Sequence, residues 1–331
     1  VPVLMDSDEI VYAIVTASTS GTFTIARAPT NTNTPRSTPP SCRVEVTGHR
    51  EFRRRGYTVV VTGRRGAVLE EACKAIRSVA APRAGLEVFS STMDVRSAEG
   101  VTSSVDAAVA MCGGSLPNIV VNNAAGNFIS PSERLTPNAW KAIMDIVVHG
   151  TINVTMEIGR RWIAAAQTTS VPADSIFVQV GASYAGKAGP FVAASAAAKS
   201  ATLSLTQSLA VEWGRYGLRT LMVSPGPIYT EGAFSRLDPG GVMSQASDLS
   251  ATVPLRRQGS PEEYAGFLAS LVCQPGASTW LSGAHVHFDG GAAAAGGEFG
   301  ALQRLTKAEW DAVESQVRSV NSQGKVSRAK L

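Results

Sequence analysis

The stretch NIVVNNAAGNF, Asn118 to Phe128, sets a short apolar run directly before a polar loop rich in small residues. A run of this kind is what a strand buried on both faces of a parallel sheet requires. Five further runs read the same way: Val11 to Thr16 (VYAIVT), Thr58 to Thr62 (TVVVT), Leu86 to Asp94, Ser175 to Val180 and Leu218 to Val223. Ala284 to Phe288 supplies a seventh. Between them, helical spacing is read over Val68 to Val79, Trp140 to Ile163 and Ala194 to Tyr216. Strands alternating with helices imply right-handed crossovers and one doubly wound, Rossmann-like α/β fold with a seven-stranded parallel sheet. Thr306 to Val317 is an amphipathic helix with no strand after it.

Composition fits that architecture. A chain of 331 residues with 44% apolar and 17% charged residues has the core of one large α/β domain, spanning 1–331. The net charge of +4 is modest. The dense basic run Arg53, Arg54, Arg55, followed by Arg64 and Arg65, lacks the aromatic interleaving of a nucleic-acid face. Cys42, Cys73, Cys112 and Cys273 lie far apart with no CxxC pairing, which argues for a reduced, intracellular protein without zinc. No apolar stretch is long enough to span a membrane. Residues 28–50 hold a Pro- and Thr-rich run, APTNTNTPRSTPP, and read as a disordered insertion. The tail 321–331 ends in Ala329, Lys330, Leu331, close to a peroxisomal tripeptide. Because Val1 is not an initiator Met, an upstream mitochondrial presequence is the alternative address.

The second decisive stretch is SYAGKAGPFVAASAAAK, Ser183 to Lys199. A Tyr and a Lys one helical turn apart would share a face. Here Tyr184 precedes Lys199 by fifteen residues, so it reaches a site from the end of a strand while Lys199 lies on the next helix. Ser195 stands four before Lys199.

With VSPGPI (Val223 to Ile228) and FDGG (Phe288 to Gly291), these features resemble the short-chain dehydrogenase/reductase family of nicotinamide enzymes. Within it, NNAAGNFISPSERLTPNAWKAIMDI, the displaced Tyr184 and PGPIYTEGAFSRLDP are similar to the 2,4-dienoyl-CoA reductase branch of mitochondrial type. The resemblance covers residues 51 to 320 and implies an NADPH-dependent reductase of 2,4-dienoyl-CoA thioesters in unsaturated fatty-acid oxidation. It also implies a homotetramer packed through the Lys199 helix. By the same resemblance Tyr184 and Asn127 are catalytic donors, with the phenol pKa lowered by a nearby cation; Lys199 binds the nicotinamide ribose, and Ser195 takes the place where most of the family carries Tyr. Val147 stands where the family has a helix Asn.

For the cofactor, the resemblance implies Arg64 at a 2′-phosphate, since Gly63, Arg64, Arg65 bring no carboxylate to repel it. Asp94 falls at the adenine; Asn123, Ala124 and Gly126 lie beside the nicotinamide ribose, and Pro225, Gly226, Pro227 and Ile228 complete the cradle. Substrate contacts are Arg96 and Arg236 for coenzyme A phosphates, Phe128 for the acyl channel, and Thr136.

The glycine-rich turn is the weak point. VTASTSGTF (Val15 to Phe23) follows the first strand and offers Ala17, Ser18, Gly21 and Thr22, but Ala17 and Phe23 replace glycines of the pattern. The rival, VTGHREFRRRG (Val46 to Gly56), leaves no room for a turn and a helix before the second strand. On the first alignment, Thr24 to Arg27 continues into Glu51 to Gly56 as one helix interrupted by about 22 residues. Two consequences stay open: a retained insertion, or lost cofactor affinity in a silent subunit that assembles with active paralogues. A ketone reductase is the other alternative, against which stands the absence of Tyr four before Lys199. His285 and His287 alternate on one strand without a third ligand and do not read as a metal site.

Overall fold

The computed structural model describes residues 12–16, 43–79, 85–127, 129–168, 175–187, 189–228, 252–273, 279–295 and 305–316. Among them, seven parallel strands form one sheet: β1 (Tyr12–Thr16), β2 (Thr58–Gly63), β3 (Val88–Thr92), β4 (Ile119–Asn122), β5 (Ile176–Val180), β6 (Arg219–Pro225) and β7 (His285–Phe288). Their spatial order, β3-β2-β1-β4-β5-β6-β7, reverses direction between β1 and β4. The crevice outside the strand ends at such a reversal is where ligands bind in this architecture.

Successive strand residues point to opposite faces, so an all-apolar strand feeds two cores at once. Val59, Val61, Ile119, Val121, Ile176 and Val178 pack on one face with Phe52, Leu69, Ile76 and Leu268. Those last side chains come from α1 (Arg43–Arg54), α2 (Gly66–Arg77) and α7 (Pro261–Cys273). Val60, Val120 and Phe177 face the other way, toward Val105, Ile158, Trp162 and Trp213. These belong to α3 (Ala98–Met111), α5 (Gly150–Thr168) and α6 (Ala193–Trp213). Phe177 is wedged between Trp162 and Trp213, with ring centroids 4.5 and 6.0 Å away.

Gly159 makes that wedge possible. A Cβ there would lie 2.4 Å from Cη2 of Trp213, a ring held on the neighbouring helix. Gly159→Ala is expected to lower stability by about 1 to 3 kcal/mol through overpacking, read as a lower urea midpoint at unchanged slope.

One expectation is corrected here. Residues 43–50, assigned to the insertion, are helical: α1 begins at Arg43 and runs unbroken to Arg54. His49 and Phe52, three apart, are buried on one face of it, and this amphipathic spacing holds the helix against the body. The rival glycine turn is thereby excluded, since Gly48 lies inside α1 with open space where a Cβ would go. The basic run proves structural in part. Arg53 donates to the carbonyls of Val79 and Leu86, and Arg55 to Ser270 Oγ at 2.9 Å. Gly56, at φ 89°, ends the helix as only glycine does without strain. Residues 17–42 lie outside the described residues.

Smaller differences concern boundaries. β3 is shorter than expected, so Asp94 sits two residues beyond it. The helix expected from Trp140 begins at Pro137, behind a Thr136 cap, as α4 (Pro137–Met144). It passes through a π-helical turn, Asp145–His149, before α5. Residues 307–316 are helical and exposed. No described helix is long and apolar enough to cross a membrane.

Candidate active site

The site forms at the C-terminal ends of β4 and β5. β4 ends at Asn122, whose side-chain Nδ2 donates to Thr155 Oγ1 of α5 at 3.0 Å and is buried with it. That anchors the start of the loop carrying Asn123 to Asn127. Ala124 and Gly126 turn into the protein, and Asn127 stays half-buried. From β5, the chain leaves through Gly181 and a compact loop before entering α6 at Ala193.

Asn127 and Tyr184 meet across these two loops. The carboxamide Nδ2 of Asn127 donates to the phenol oxygen of Tyr184 at 2.8 Å. The same oxygen lies 3.0 Å from Ser195 Oγ, on the first turn of α6. Because the phenol oxygen accepts from the amide, its own proton is left for Ser195 or for a ligand oxygen. The sequence expectation of a lowered phenol pKa is corrected. Burial raises it, offset in part by the Ser195 hydroxyl. Tyr184 therefore stays protonated at neutral pH, with an O–H available to donate.

Gly189 lets the loop fold tightly over Tyr184. A Cβ there would fall 2.8 Å from Val192 Cγ2 and 3.1 Å from Tyr184 Cβ. Two further ties hold the loop: Gly186 N–H to Ser200 Oγ at 3.0 Å, and Lys187 Nζ to the carbonyl of Ala293. Sequence reasoning missed the Lys187 tie, since no local pattern marks a contact between residues 106 apart.

Lys199 follows Ser195 by one turn on α6 and is 7% exposed. Its Nζ donates to the carbonyl of Val180 at 2.5 Å, and burial pushes its pKa from 10.5 down to about 8. Val147, in the π-helical turn, packs with Ile143, Ala194 and Ala198, an apolar wall beside this turn of α6. Its 1% exposure explains why no amide is accommodated there without a new partner.

A second cluster lies beyond β2 and β3. Arg64 follows the last residue of β2 and is exposed. Arg96 grips Asp94 through Nε at 2.9 and 3.1 Å and through a terminal nitrogen at 2.5 Å. Hydrogen bonding from Arg96 holds the Asp94 carboxyl below the usual range, with Arg64 adding a smaller pull. Arg64, Asp94 and Arg96 thus share one edge of the sheet, and Arg96 is engaged by Asp94.

The remaining expected residues fall in three places. Pro225 ends β6, and Gly226 donates its N–H to Phe288 O at 2.9 Å. A Cβ on Gly226 would strike Asp289 Cα at 2.6 Å, so only glycine passes there. Ile228 bridges in parallel to Gly259, setting the path after Pro227. Thr136 Oγ1 accepts from Ala139 N–H at 3.2 Å, a helix cap. Ala17, Ser18, Gly21, Thr22, Phe128 and Arg236, with the tail 317–331, lie outside the described residues. His285 accepts or donates to Ser224 Oγ at 2.7 Å, with the His287 ring 4.2 Å away; burial first, then His287 and Lys187, lowers its pKa.

The donor set fits a nicotinamide dinucleotide at the β1/β4 reversal. A buried ammonium whose described bond is to one carbonyl suits ribose hydroxyls. Buried small residues at Ala124 and Gly126 suit close approach of a ribose, and exposed Arg64, following a β2 that ends in Gly63 instead of a carboxylate, suits a 2′-phosphate.

The family model described as Enoyl-(Acyl carrier protein) reductase matches residues 49–293. An uncharacterized oxidoreductase of Caenorhabditis elegans is 38% identical over 85% of this chain and 86% of its own length. A protein of Bacillus subtilis named probable 2,4-dienoyl-CoA reductase is 39% identical over 71% of this chain and 87% of its own. A solved short-chain dehydrogenase from Bacillus anthracis superposes with a TM-score of 0.65 at 31% identity, covering 85% of this chain and 96% of that one.

Proposed function

This chain belongs to the short-chain dehydrogenase/reductase family of oxidoreductases, and on that premise we propose that it reduces 2,4-dienoyl-CoA thioesters to 3-enoyl-CoA with NADPH. The observation that carries the reading is the 2.8 Å bond from Asn127 to Tyr184, made by a Tyr fifteen residues before Lys199 while Ser195 occupies the place one turn before it. A ketone reductase of the usual family pattern needs its phenol at that place.

Reduction of a conjugated thioester requires three things: hydride at the far carbon, a sink for the charge that develops on the thioester oxygen, and a proton at the α-carbon. The bound cofactor supplies the hydride. Tyr184 donates its O–H to the thioester oxygen, and Asn127, whose amide lies 2.8 Å from the phenol oxygen and carries a second N–H, supplies the second donor. Each is worth roughly 3 to 4 kcal/mol if it behaves as an oxyanion-hole donor. Tyr184 then passes its proton, directly or through water, to the α-carbon, which completes the reduction, and the Asn127 amide donates to the phenolate left behind. Ser195 Oγ, 3.0 Å from the phenol, keeps it aimed between the two loops. Lys199, held by the Val180 carbonyl, would bind the ribose of the cofactor.

NADPH is favoured over NADH by Arg64 and by Gly63 at the strand end. Arg64→Ala is expected to raise KM for NADPH by about 10- to 100-fold, the value of a charge-assisted contact, with KM for NADH changed less than about threefold. Initial rates with both cofactors and a dienoyl-CoA test the whole reading: oxidation of NADPH that depends on the dienoyl-CoA supports it, and turnover with simple ketones alone overturns it.

Phe23, where a glycine is expected, favours a second reading, a silent subunit. Cofactor fluorescence separates the two. Folded protein that binds no NADPH at millimolar concentration is the silent subunit; saturable binding is the enzyme.

A further inference from the structure

Phe191 carries two unfavourable features at once. Its φ is 62°, a left-handed conformation in which a bulky side chain is strained, and the residue is 60% exposed. Glycine would relieve the first and a polar residue the second. Strain of this kind persists where the surroundings over-determine the backbone, and it gathers at ligand clamps.

The surroundings here are the two catalytic loops. The carbonyl of Phe191 accepts from Ser130 N–H at 2.8 Å. Ser130 lies three residues past Asn127, and Phe191 seven past Tyr184. On the far side, Val192 N–H donates to Gly189 O at 3.4 Å, and Val192 O receives Ala196 N–H at 2.9 Å, opening α6. The Ser130–Phe191 bond is therefore a seam joining the loop that carries Asn127 to the loop that carries Tyr184. Its left-handed residue stands at the solvent side of that seam with a large apolar ring.

We propose that the Phe191 ring forms an apolar rim of the active site and selects acyl-CoA thioesters by chain length. This rests on the reading of the site as one for acyl-CoA. With the thioester oxygen held between Asn127 and Tyr184, the methylenes beyond the conjugated segment extend outward past the seam of those two loops. A ring fixed there removes their apolar surface from water. The same hydrogen bond sets both the ring and the spacing of the catalytic pair, so chain contact and catalytic geometry are read by one element. A second copy of the chain is the rival occupant of the ring.

Three variants test this: Phe191→Ala removes the ring, Phe191→Leu keeps an apolar side chain, and Phe191→Gly removes ring and strain together. Two readouts are taken on each, kcat/KM for hexadienoyl-CoA against decadienoyl-CoA, and Kd for unreactive saturated hexanoyl-CoA against decanoyl-CoA by calorimetry. Wild type is expected to prefer the longer chain in both. Phe191→Ala and Phe191→Gly are expected to lose about tenfold of that preference, mostly in KM and in the longer chain, with Phe191→Leu retaining most of it. Phe191→Gly is expected to melt no lower than Phe191→Ala, which separates loss of the ring from loss of the fold. No chain-length preference in wild type, an unchanged preference in Phe191→Ala, or a drop in oligomeric state on sedimentation of Phe191→Ala would overturn the proposal. If wild type reduces no dienoyl-CoA yet the calorimetric preference vanishes in Phe191→Ala, the rim stands and the proposed reaction falls. If dienoyl-CoA turns over while both preferences survive, the reaction stands and the rim falls.

Discussion

Tyr184→Phe is expected to cut turnover of a dienoyl-CoA by about 100- to 1,000-fold, the cost of one oxyanion donor, with NADPH affinity changed less than about threefold. The split follows from geometry. The phenol touches Asn127 and Ser195 and on the proposed mechanism meets the thioester oxygen, whereas cofactor contact there falls to Lys199 and to the β2 and β4 ends. Phenylalanine keeps the ring and its packing against Gly189, so the loop should hold its shape. The loss should not be recovered by raising pH. Wild-type Tyr184 has its pKa raised by burial and is neutral at ordinary pH, so on the proposed mechanism activity should decline as pH climbs through that raised value. Stopped-flow NADPH absorbance with a separate fluorescence titration of cofactor measures both halves of the prediction.

Lys199→Met separates function from stability. The unfolded chain keeps this Lys at its ordinary 10.5, while burial brings it to about 8 in the folded protein. Between those values the unfolded state binds more protons, so stability rises with pH across that window, by about 3 kcal/mol. Below about pH 8 the folded protein bears the full cost of a buried cation. Methionine carries no charge to bury, so the variant should lack this rise. At neutral pH it should be as stable as wild type or more so, set against one unpaired carbonyl at Val180. NADPH affinity should nevertheless fall at least about 100-fold, since the ribose loses its ammonium donor. In wild type the same affinity should weaken as pH rises through about 8 and the ammonium is lost. Urea unfolding of both proteins at neutral and alkaline pH, beside cofactor titrations, reports the two effects independently.

The sheet was legible because its central strands are short and carry runs of two or three consecutive β-branched or aromatic apolar residues. Thr58 to Gly63 and Ile176 to Val180 are buried at every position, which no helix of that length would be. Helices were read less evenly. α7 escaped notice although Ser260 and Glu263 form a reciprocal capping box, with Glu263 N–H to Ser260 Oγ at 3.1 Å and Ser260 N–H to Glu263 at 2.8 Å. α3 likewise hid its signal in the Ser97 cap and the Val101, Val105, Ala108 stripe. The start of α1 was obscured by the neighbouring Pro- and Thr-rich run; what places it is burial of His49 and Phe52 against other helices, a tertiary fact.

At the site, the family resemblance singled out Tyr184, Asn127, Ser195 and Lys199, and the first three converge on one oxygen. Spacing could not reveal the direction of the Tyr184 shift, which depends on how deeply the ring is covered. Nor could it reveal the ties from Lys187 to Ala293 and from Ser130 to Phe191, each made between loops distant in the chain. Arg96 shows a different limit. Its place near Asp94 was visible, but the competition of that carboxylate for its guanidinium was not.

The central claim is that phenol and carboxamide act as one unit on a single developing oxyanion, and a double-mutant cycle on Tyr184→Phe and Asn127→Ala tests it most directly. NADPH consumption driven by a dienoyl-CoA is measured for wild type, both single variants and the pair. We predict that each single variant loses at least about 100-fold and that the double variant loses little more than the worse single, as groups acting together do. Wild-type turnover within a few-fold in Tyr184→Phe, or losses that simply multiply in the pair, would contradict it.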